Sequence, residues 1–269
     1  MIFETNENED LENYYFLDDK TSRKLDNKIQ LIINKIGLDR KTQDEVFDKS
    51  TLLSLEKLIS KGIINHIDFP VSTGKEGNVF RAVTPQKKYV IIKIYRTSTS
   101  TFKHISKYIT GDPRFEKFQK KNRNEIISLW AQKEFINLEK LLSAGINAPK
   151  PIVKIKNILV MEYIGNYKKP ASMMKDIKLD NPEEILLILI DYIKKMYHNI
   201  RLVHSDMSPY NILIHKKKPY IIDLGQAVLI HHPNSNEFLR RDIHNIVNYF
   251  KKYDIIADEN KIFKDIIYT

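Results

Sequence analysis

At 269 residues, 42% of them hydrophobic and 29% charged, the chain has enough apolar material for one two-lobed domain or two small ones. No apolar run approaches the roughly 20 residues needed to cross a bilayer, and the start Met1-Ile2-Phe3-Glu4 lacks the basic and apolar regions of a secretory leader. The absence of cysteine excludes disulfides and thiolate metal sites, which fits a cytoplasmic protein without a membrane partner.

The net charge of +10 is unevenly spread: residues 1–20 hold seven acids against Lys20, leaving 43 bases and 27 acids over the rest. A basic body suits contact with phosphate, as nucleotide or RNA, and suits a lysine-rich proteome equally well. Residues 1–20 read as a polar, loosely docked tail with a small Tyr14-Tyr15-Phe16-Leu17 patch. Between Ser22 and Gly37, Leu25, Ile29, Ile32, Ile33 and Ile36 recur at helical spacing, with Gly37 as the stop. A second helix is expected over residues 41–60, ended by Gly62.

From Phe69 to Val83 the pattern is strand, glycine turn, strand. Gly74 and Gly77 let the backbone approach a phosphate, and Ser72, Thr73 and Lys75 offer donors; taken alone, an ordinary β-turn explains them too. In Tyr89–Tyr95, Lys93 is the one charge in a strongly β-forming run, a costly placement unless it is paired or lies on a sheet edge. A partner stands further on. Asn124–Ala144 reads as a helix with Ile127, Ala131, Leu138 and Leu141 on one stripe, and Glu134 shares that stripe. A strand lysine paired with a helix glutamate is what holds the α- and β-phosphates of ATP in kinases. Residues 97–123, between the two, are polar and too long for a simple connection; an ordered excursion, a mobile lid and a partner-binding loop are all open.

Ile158–Gly165 is an apolar strand running into a glycine. It is either a plain connecting strand or a hinge where adenine would meet the backbone of Glu162 and Ile164 beneath Met161. Pro182 then opens a striped helix that delivers the chain to Leu202. Beyond it, the runs Ile212–Ile214 and Tyr220–Ile222 flank the polar turn Lys216-Lys217-Lys218-Pro219, a short hairpin. Such a hairpin brings Asp206, Asn211 and Asp223 to one end. There, one carboxylate can orient a hydroxyl or water, while an Asn and an Asp hold Mg²⁺. Each acid alone would pass for a turn residue or a cap. Their joint spacing, His204-x-Asp206-x4-Asn211 followed by Asp223-x-Gly225, is the protein-kinase pattern. A last helix is expected over residues 236–253, on which Asp242 either supports the loop backbone or sits solvated.

Together these segments resemble the RIO family of atypical protein kinases, and within it the first subfamily. The resemblance rests on Ser72-Thr73-Gly74-Lys75-Glu76-Gly77-Asn78-Val79, Ile92-Lys93-Ile94-Tyr95-Arg96, Gly111-Asp112-Pro113-Arg114-Phe115, Lys133-Glu134-Phe135, Val203-His204-Ser205-Asp206 through Asn211, and Ile222-Asp223-Leu224-Gly225-Gln226-Ala227. It implies an α+β, bilobal protein-kinase-like fold, reduced in its C-lobe by the loss of the activation segment and late substrate-binding helices. The expected division is an acidic tail with accessory helices over 1–66, an N-lobe over 67–164 with a flexible loop near 97–123, and a C-lobe over 165–269. The short, cysteine-free form looks archaeal.

The resemblance further implies Asp206 as catalytic base, Asn211 and Asp223 as Mg²⁺ (or Mn²⁺) ligands, and Asp223 as an acceptor able to form an aspartyl-phosphate. ATP would be held by Ser72, Gly74, Lys75, Glu76, Lys93, Met161, Glu162 and Ile164, with Glu134 in support. Members act in maturation of the small ribosomal subunit, so rRNA and ribosomal proteins are the expected partners. Two rivals stand beside this: an aminoglycoside-kinase-like phosphotransferase, which shares the His-x-Asp-x4-Asn spacing, and a non-catalytic ATP-dependent switch that docks on RNA.

Overall fold

The computed structural model describes residues 48–74, 77–96, 108–109, 112, 114 and 122–268. The expected helix over 22–37, the acidic tail, Lys75, Glu76 and most of the 97–123 excursion lie outside the described residues.

The chain folds into two lobes. Helix α1 (Lys49–Ser60) leads into an antiparallel sheet of β1 (His66–Thr73), β2 (Gly77–Val83), β3 (Tyr89–Tyr95), β4 (Pro151–Ile155) and β5 (Ile158–Glu162), in the order β1-β2-β3-β5-β4. Of the helix expected over 41–60, residues 49–60 form α1, and 41–47 lie outside the described residues. Asp48 adopts extended backbone and its carboxylate accepts the Thr51 N–H at 2.8 Å, a cap that fixes the helix start where the sequence offers Asp-Lys-Ser-Thr. Its Leu55 and Leu58 join Phe80, Ile92, Ile94 and Val160 in the core of this lobe.

Helix α2 (Arg123–Ser143) spans both lobes. A capping box opens it: Asn122 accepts the Glu125 N–H at 3.0 Å and Glu125 accepts the Asn122 N–H at 3.2 Å. It packs against β4 and β5 on one side. Its Trp130, Ala131, Leu138 and Leu141 join the larger core with α3 (Pro182–Asn199) and α4 (Ser235–Phe250). That second lobe also holds β6 (Ser172–Met173), β7 (Leu202–Val203), β8 (Ile212–His215), β9 (Lys218–Ile221), β10 (Val228–Leu229) and a closing helix α5 (Glu259–Tyr268). Among the described residues no helix is long and apolar enough to cross a membrane.

The crossing between the lobes is short and tied. The Ala171 N–H donates to Ile164 O at 2.9 Å, and Gly165 bridges to Pro170. Arg81 of β2 lies with its guanidinium 4.2 Å from the ring centroids of both Phe69 and Tyr89, pairs with Asp68, and donates to Tyr167 O at 2.8 Å. Ser172, one residue past this turn, already pairs with Ile214 of the lower lobe. The second crossing, after α2, is anchored by the Ile221 N–H donating to Asn147 O at 2.8 Å.

Candidate active site

Between the lobes lies a cleft of about 630 Å³, lined from above by Ser72, Gly74, Gly77, Lys93 and Met161 and from below by Asp206, Asn211 and Asp223. Of the residues singled out from the sequence, Ser72, Gly74, Lys93, Glu134, Met161, Glu162, Ile164, Asp206, Asn211 and Asp223 all line it. Lys75 and Glu76, between Gly74 and Gly77, are outside the described residues.

The roof is the β1–β2 turn. Gly74 donates its N–H to Gly77 O at 2.9 Å and so closes it. A side chain at Gly77 would put its Cβ 2.5 Å from Ile94 O, so only glycine lets β2 lie this close to β3 over the cleft.

Lys93 occupies a central strand, flanked by β2 and β5, not a sheet edge. Its ammonium lies 2.8 Å from Glu134 Oε2 and 3.0 Å from Asp223 Oδ1, so one cation joins strand, helix and lower lobe. Tyr95, two residues on and therefore on the same face of β3, donates its hydroxyl to Glu134 Oε2. Burial disfavours the charge on Lys93, but Asp223 and Glu134 outweigh it and hold the ammonium above its ordinary range. Burial pushes the Glu134 carboxyl up, with Lys93 pulling against it. For Asp223 the upward push of burial is overcome by Lys93, and the carboxyl sits below its usual range.

The lower residues are placed by the β8–β9 hairpin. Ile212 pairs with Ile221, which sets Asn211 beside Ile222, whose N–H donates to Asn211 O at 3.0 Å. Asp223 follows directly. The connecting turn has only two residues, Lys216 and Lys217, both with positive φ (49° and 62°) as a type I′ turn requires. Pro219, expected in that turn, is instead a strand residue opposite Ile214.

Asn211 donates from its amide nitrogen to Asp206 Oδ2 and to Asp206 O, both at 2.9 Å. With its amide nitrogen so engaged, the Asn211 amide oxygen remains a hard donor in the same cleft as the Asp223 carboxylate, a pair of donor types that suits Mg²⁺. Burial raises the Asp206 carboxyl, and the hydrogen bond from Asn211 works against it. His204, whose Nε2 lies 3.2 Å from Ile222 O, is kept neutral by its own burial.

Asp242 belongs to this site. It is buried on α4, and its two oxygens accept the N–H groups of Ser205 and Met207, each at 2.8 Å. Ser205, the first of the two donors and the residue before Asp206, has φ 70°, a left-handed conformation that costs energy for most residues other than glycine. Arg241, the preceding residue, donates to Ser205 O. Burial pushes the Asp242 carboxyl up to about 7 against the two N–H donors.

Asp223 itself has φ 64°. The backbone beyond it is held by Asn137 Nδ2, which donates to Leu224 O at 2.9 Å. A Cβ at Gly225 would lie 2.7 Å from the Trp130 indole nitrogen, so α2 presses directly on this loop. At the hinge, the Glu162 N–H is taken by Lys150 O at 2.8 Å and Ile164 O by the Ala171 N–H. A base bonded here would therefore have to use the Glu162 carbonyl and the Ile164 N–H. Lys169–Met173, Asp176, Tyr210 and Gln226 also line the cleft, and of these only Gln226 stands in a motif read from the sequence.

Residues 78–262 match the family model of the RIO domain. The chain is 40% identical over 224 residues to the RIO-type serine/threonine-protein kinase Rio1 of Haloferax volcanii, covering 83% of this chain and 77% of that protein. To its namesake in Thermoplasma acidophilum it is 50% identical over 184 residues, which are 68% of this chain and 96% of the relative. It is 37% identical to the human serine/threonine-protein kinase RIO1 but spans only 46% of that longer protein. Among solved structures, the Rio2 kinase–ADP/Mg²⁺–phosphoaspartate complex from Chaetomium thermophilum superposes with a TM-score of 0.62 at 20% identity, over 81% of this chain and 66% of that one. At that identity the likeness is one of fold.

Proposed function

The chain belongs to the RIO family, in its Rio1 subfamily, and we propose that it is an atypical serine/threonine protein kinase and ATPase that transfers the γ-phosphate of ATP with Mg²⁺. One observation carries the mechanism: Lys93, anchored on Glu134, faces Asp206, Asn211 and Asp223 across a single cleft. Family membership sets aside the aminoglycoside-kinase alternative.

Adenine would enter against Met161 and bond to the Glu162 carbonyl and Ile164 N–H, with the Ser72–Gly77 turn over the phosphates. Lys93 would turn from Asp223 to the α- and β-phosphates while Glu134 keeps its hold. Asn211 and Asp223 would hold Mg²⁺, which supplies charge neutralisation on the β- and γ-phosphate oxygens. Asp206 takes the proton of a serine or threonine hydroxyl as its oxygen bonds to the γ-phosphorus and the bond to ADP breaks. In the Rio2 complex an aspartate is the phosphorylated group. Asp223 is its counterpart in this proposal, and water attack on its acyl phosphate would make the cycle an ATPase. The proposed setting is the cytoplasmic precursor of the small ribosomal subunit, whose rRNA suits a chain of net charge +10.

Incubation with γ-labelled ATP and Mg²⁺ tests the assignment. An acid-stable label on protein supports serine or threonine transfer, and a hydroxylamine-labile label supports the acyl phosphate. Free labelled phosphate supports hydrolysis. Finding none of the three would sink the proposal.

A further inference from the structure

Glu134 is entirely buried and is asked to remain a carboxylate while Lys93 works at the phosphates. Lys93 is shared with Asp223 in the present arrangement, so it is not an exclusive partner for Glu134. The second donor to Glu134 is the Tyr95 hydroxyl, which reaches the same oxygen, Oε2, that Lys93 approaches at 2.8 Å. The groups that face this carboxylate are Lys93 and Tyr95 from β3 and, through space, Asp223.

Tyr95 is itself immobilised. It is 1% exposed, its N–H donates to Asn157 O at 3.0 Å, and its carbonyl accepts from Asn157 Nδ2 at 3.0 Å. Asn157 in turn donates to Thr51 Oγ1 on α1 at 2.9 Å. The Lys93 ammonium also stands 5.1 Å from the centroid of the Tyr95 ring, against its π face. A phenol fixed to the sheet therefore touches both members of the ion pair.

Resting on the kinase reading above, we infer that Tyr95 is a positioning residue for the phosphates of ATP, acting through Glu134. Its hydroxyl holds the carboxylate in place and charged during the interval when Lys93 has swung toward the nucleotide. Charge-assisted hydrogen bonds are the stronger class, and a buried carboxylate deprived of one donor loses both orientation and ionisation.

The test compares Tyr95→Phe with the wild type for binding of ATP–Mg²⁺ and of adenosine by calorimetry. Adenosine reports the hinge alone. The variant is expected to bind ATP on the order of tenfold more weakly and adenosine unchanged. Parallel weakening of both ligands, or no change in either, overturns the inference, because the phenol would then be packing material only. A wild-type chain that binds ATP no more tightly than adenosine sinks the kinase reading instead, before any variant is made. Thermal melting gives a readout independent of nucleotide: Tyr95→Phe should lower the melting temperature in the wild-type background but not in Glu134→Ala. An equal loss in both backgrounds overturns the inference.

Discussion

Lys93 Nζ and Asp223 Oδ1 lie 3.0 Å apart across the cleft, 130 residues apart in sequence. The same ammonium is held by Glu134, so removing it strands one fully buried carboxylate and releases a second. Lys93→Met is therefore expected to lose about 3–5 kcal/mol of stability, the range for breaking a buried pair from one side, and to reduce phosphoryl transfer by roughly 10²-fold or more. Asp223, held below 3.8 by Lys93, contributes stability that is present above that pH and lost as the carboxyl is protonated at lower pH. Urea titrations at pH 7 and pH 3 check this. The difference between wild type and variant should shrink at the lower pH.

Asp206 and Asp223 should separate cleanly. Among the described residues Asp206 hydrogen-bonds Asn211 and no group of the upper lobe, so Asp206→Ala is expected to bind ATP normally while transfer to a hydroxyl falls by about 10²–10⁴-fold. Asp223→Ala should lose Mg²⁺-dependent nucleotide binding itself. Calorimetry with and without Mg²⁺, run beside a label-transfer assay, distinguishes the two. Normal autophosphorylation by Asp206→Ala would remove it from the role of base.

Asp242 never reaches the cleft, yet it holds the loop that carries Asp206. In Asp242→Ala the buried N–H groups of Ser205 and Met207 lose their acceptor, a loss of about 1–3 kcal/mol for each group left unsatisfied. Ser205 then has less reason to keep its left-handed backbone. The expected result is a lower melting temperature and a fall in kcat at nearly unchanged ATP affinity. An unchanged kcat would show that the loop holds its shape without this carboxylate.

Lys133 gives a pH-dependent prediction away from the chemistry. It is fully buried, donates to Tyr108 O at 2.9 Å, and burial lowers its ammonium to about 7, with Asp112 raising and Arg114 lowering it further on. The unfolded chain binds this proton up to about 10.5, so between 7 and 10.5 the unfolded state carries more protons and stability rises with pH. Lys133→Met should remove that rise and stabilise the protein at neutral pH by about 1–3 kcal/mol. Melting curves from pH 6.5 to 10 measure both effects. A variant with the wild-type slope would assign the pH dependence elsewhere.

The placement of Lys93 and Glu134 is legible in the sequence because each contradicts its surroundings: a charge in a β-branched strand and a carboxylate on an apolar helical stripe. The spacing of Asp206, Asn211 and Asp223 works in the same way, since a hairpin between the last two leaves them no other arrangement. Asp242 carries a signal as well. It stands four residues from both Phe238 and Ile246 on the buried face of α4, which resolves the alternative of a solvated position. Tyr95 carries none, because an aromatic residue in a strand is unremarkable whether or not its hydroxyl has work. The Lys216–Lys217 turn is equally hidden: left-handed backbone is expected of Asn-Gly, and here the hairpin register imposes it on two lysines. The post-hinge lining, Lys169–Met173, follows from how the chain doubles back at Gly165, a geometry with no periodicity to read.

The ties of Arg81 and Ala171 make the 164–171 turn part of the upper sheet, while Ser172 already belongs to the lower lobe. On the other crossing, Asn147 is clamped to β9 just before Pro151 enters β4. These two joints are where the main chain passes between the sheet and the lower lobe, and α2 adds a third tie through Trp130 against Gly225 and Asn137 on Leu224 O, so any relative motion of the lobes is confined to what these ties allow. A nucleotide seated on the turn would ride with the sheet while Asp206 and Asp223 approach or recede beneath it. Stiffening the second joint, for instance with a proline at position 148, would then slow product escape without altering any group that touches the phosphates.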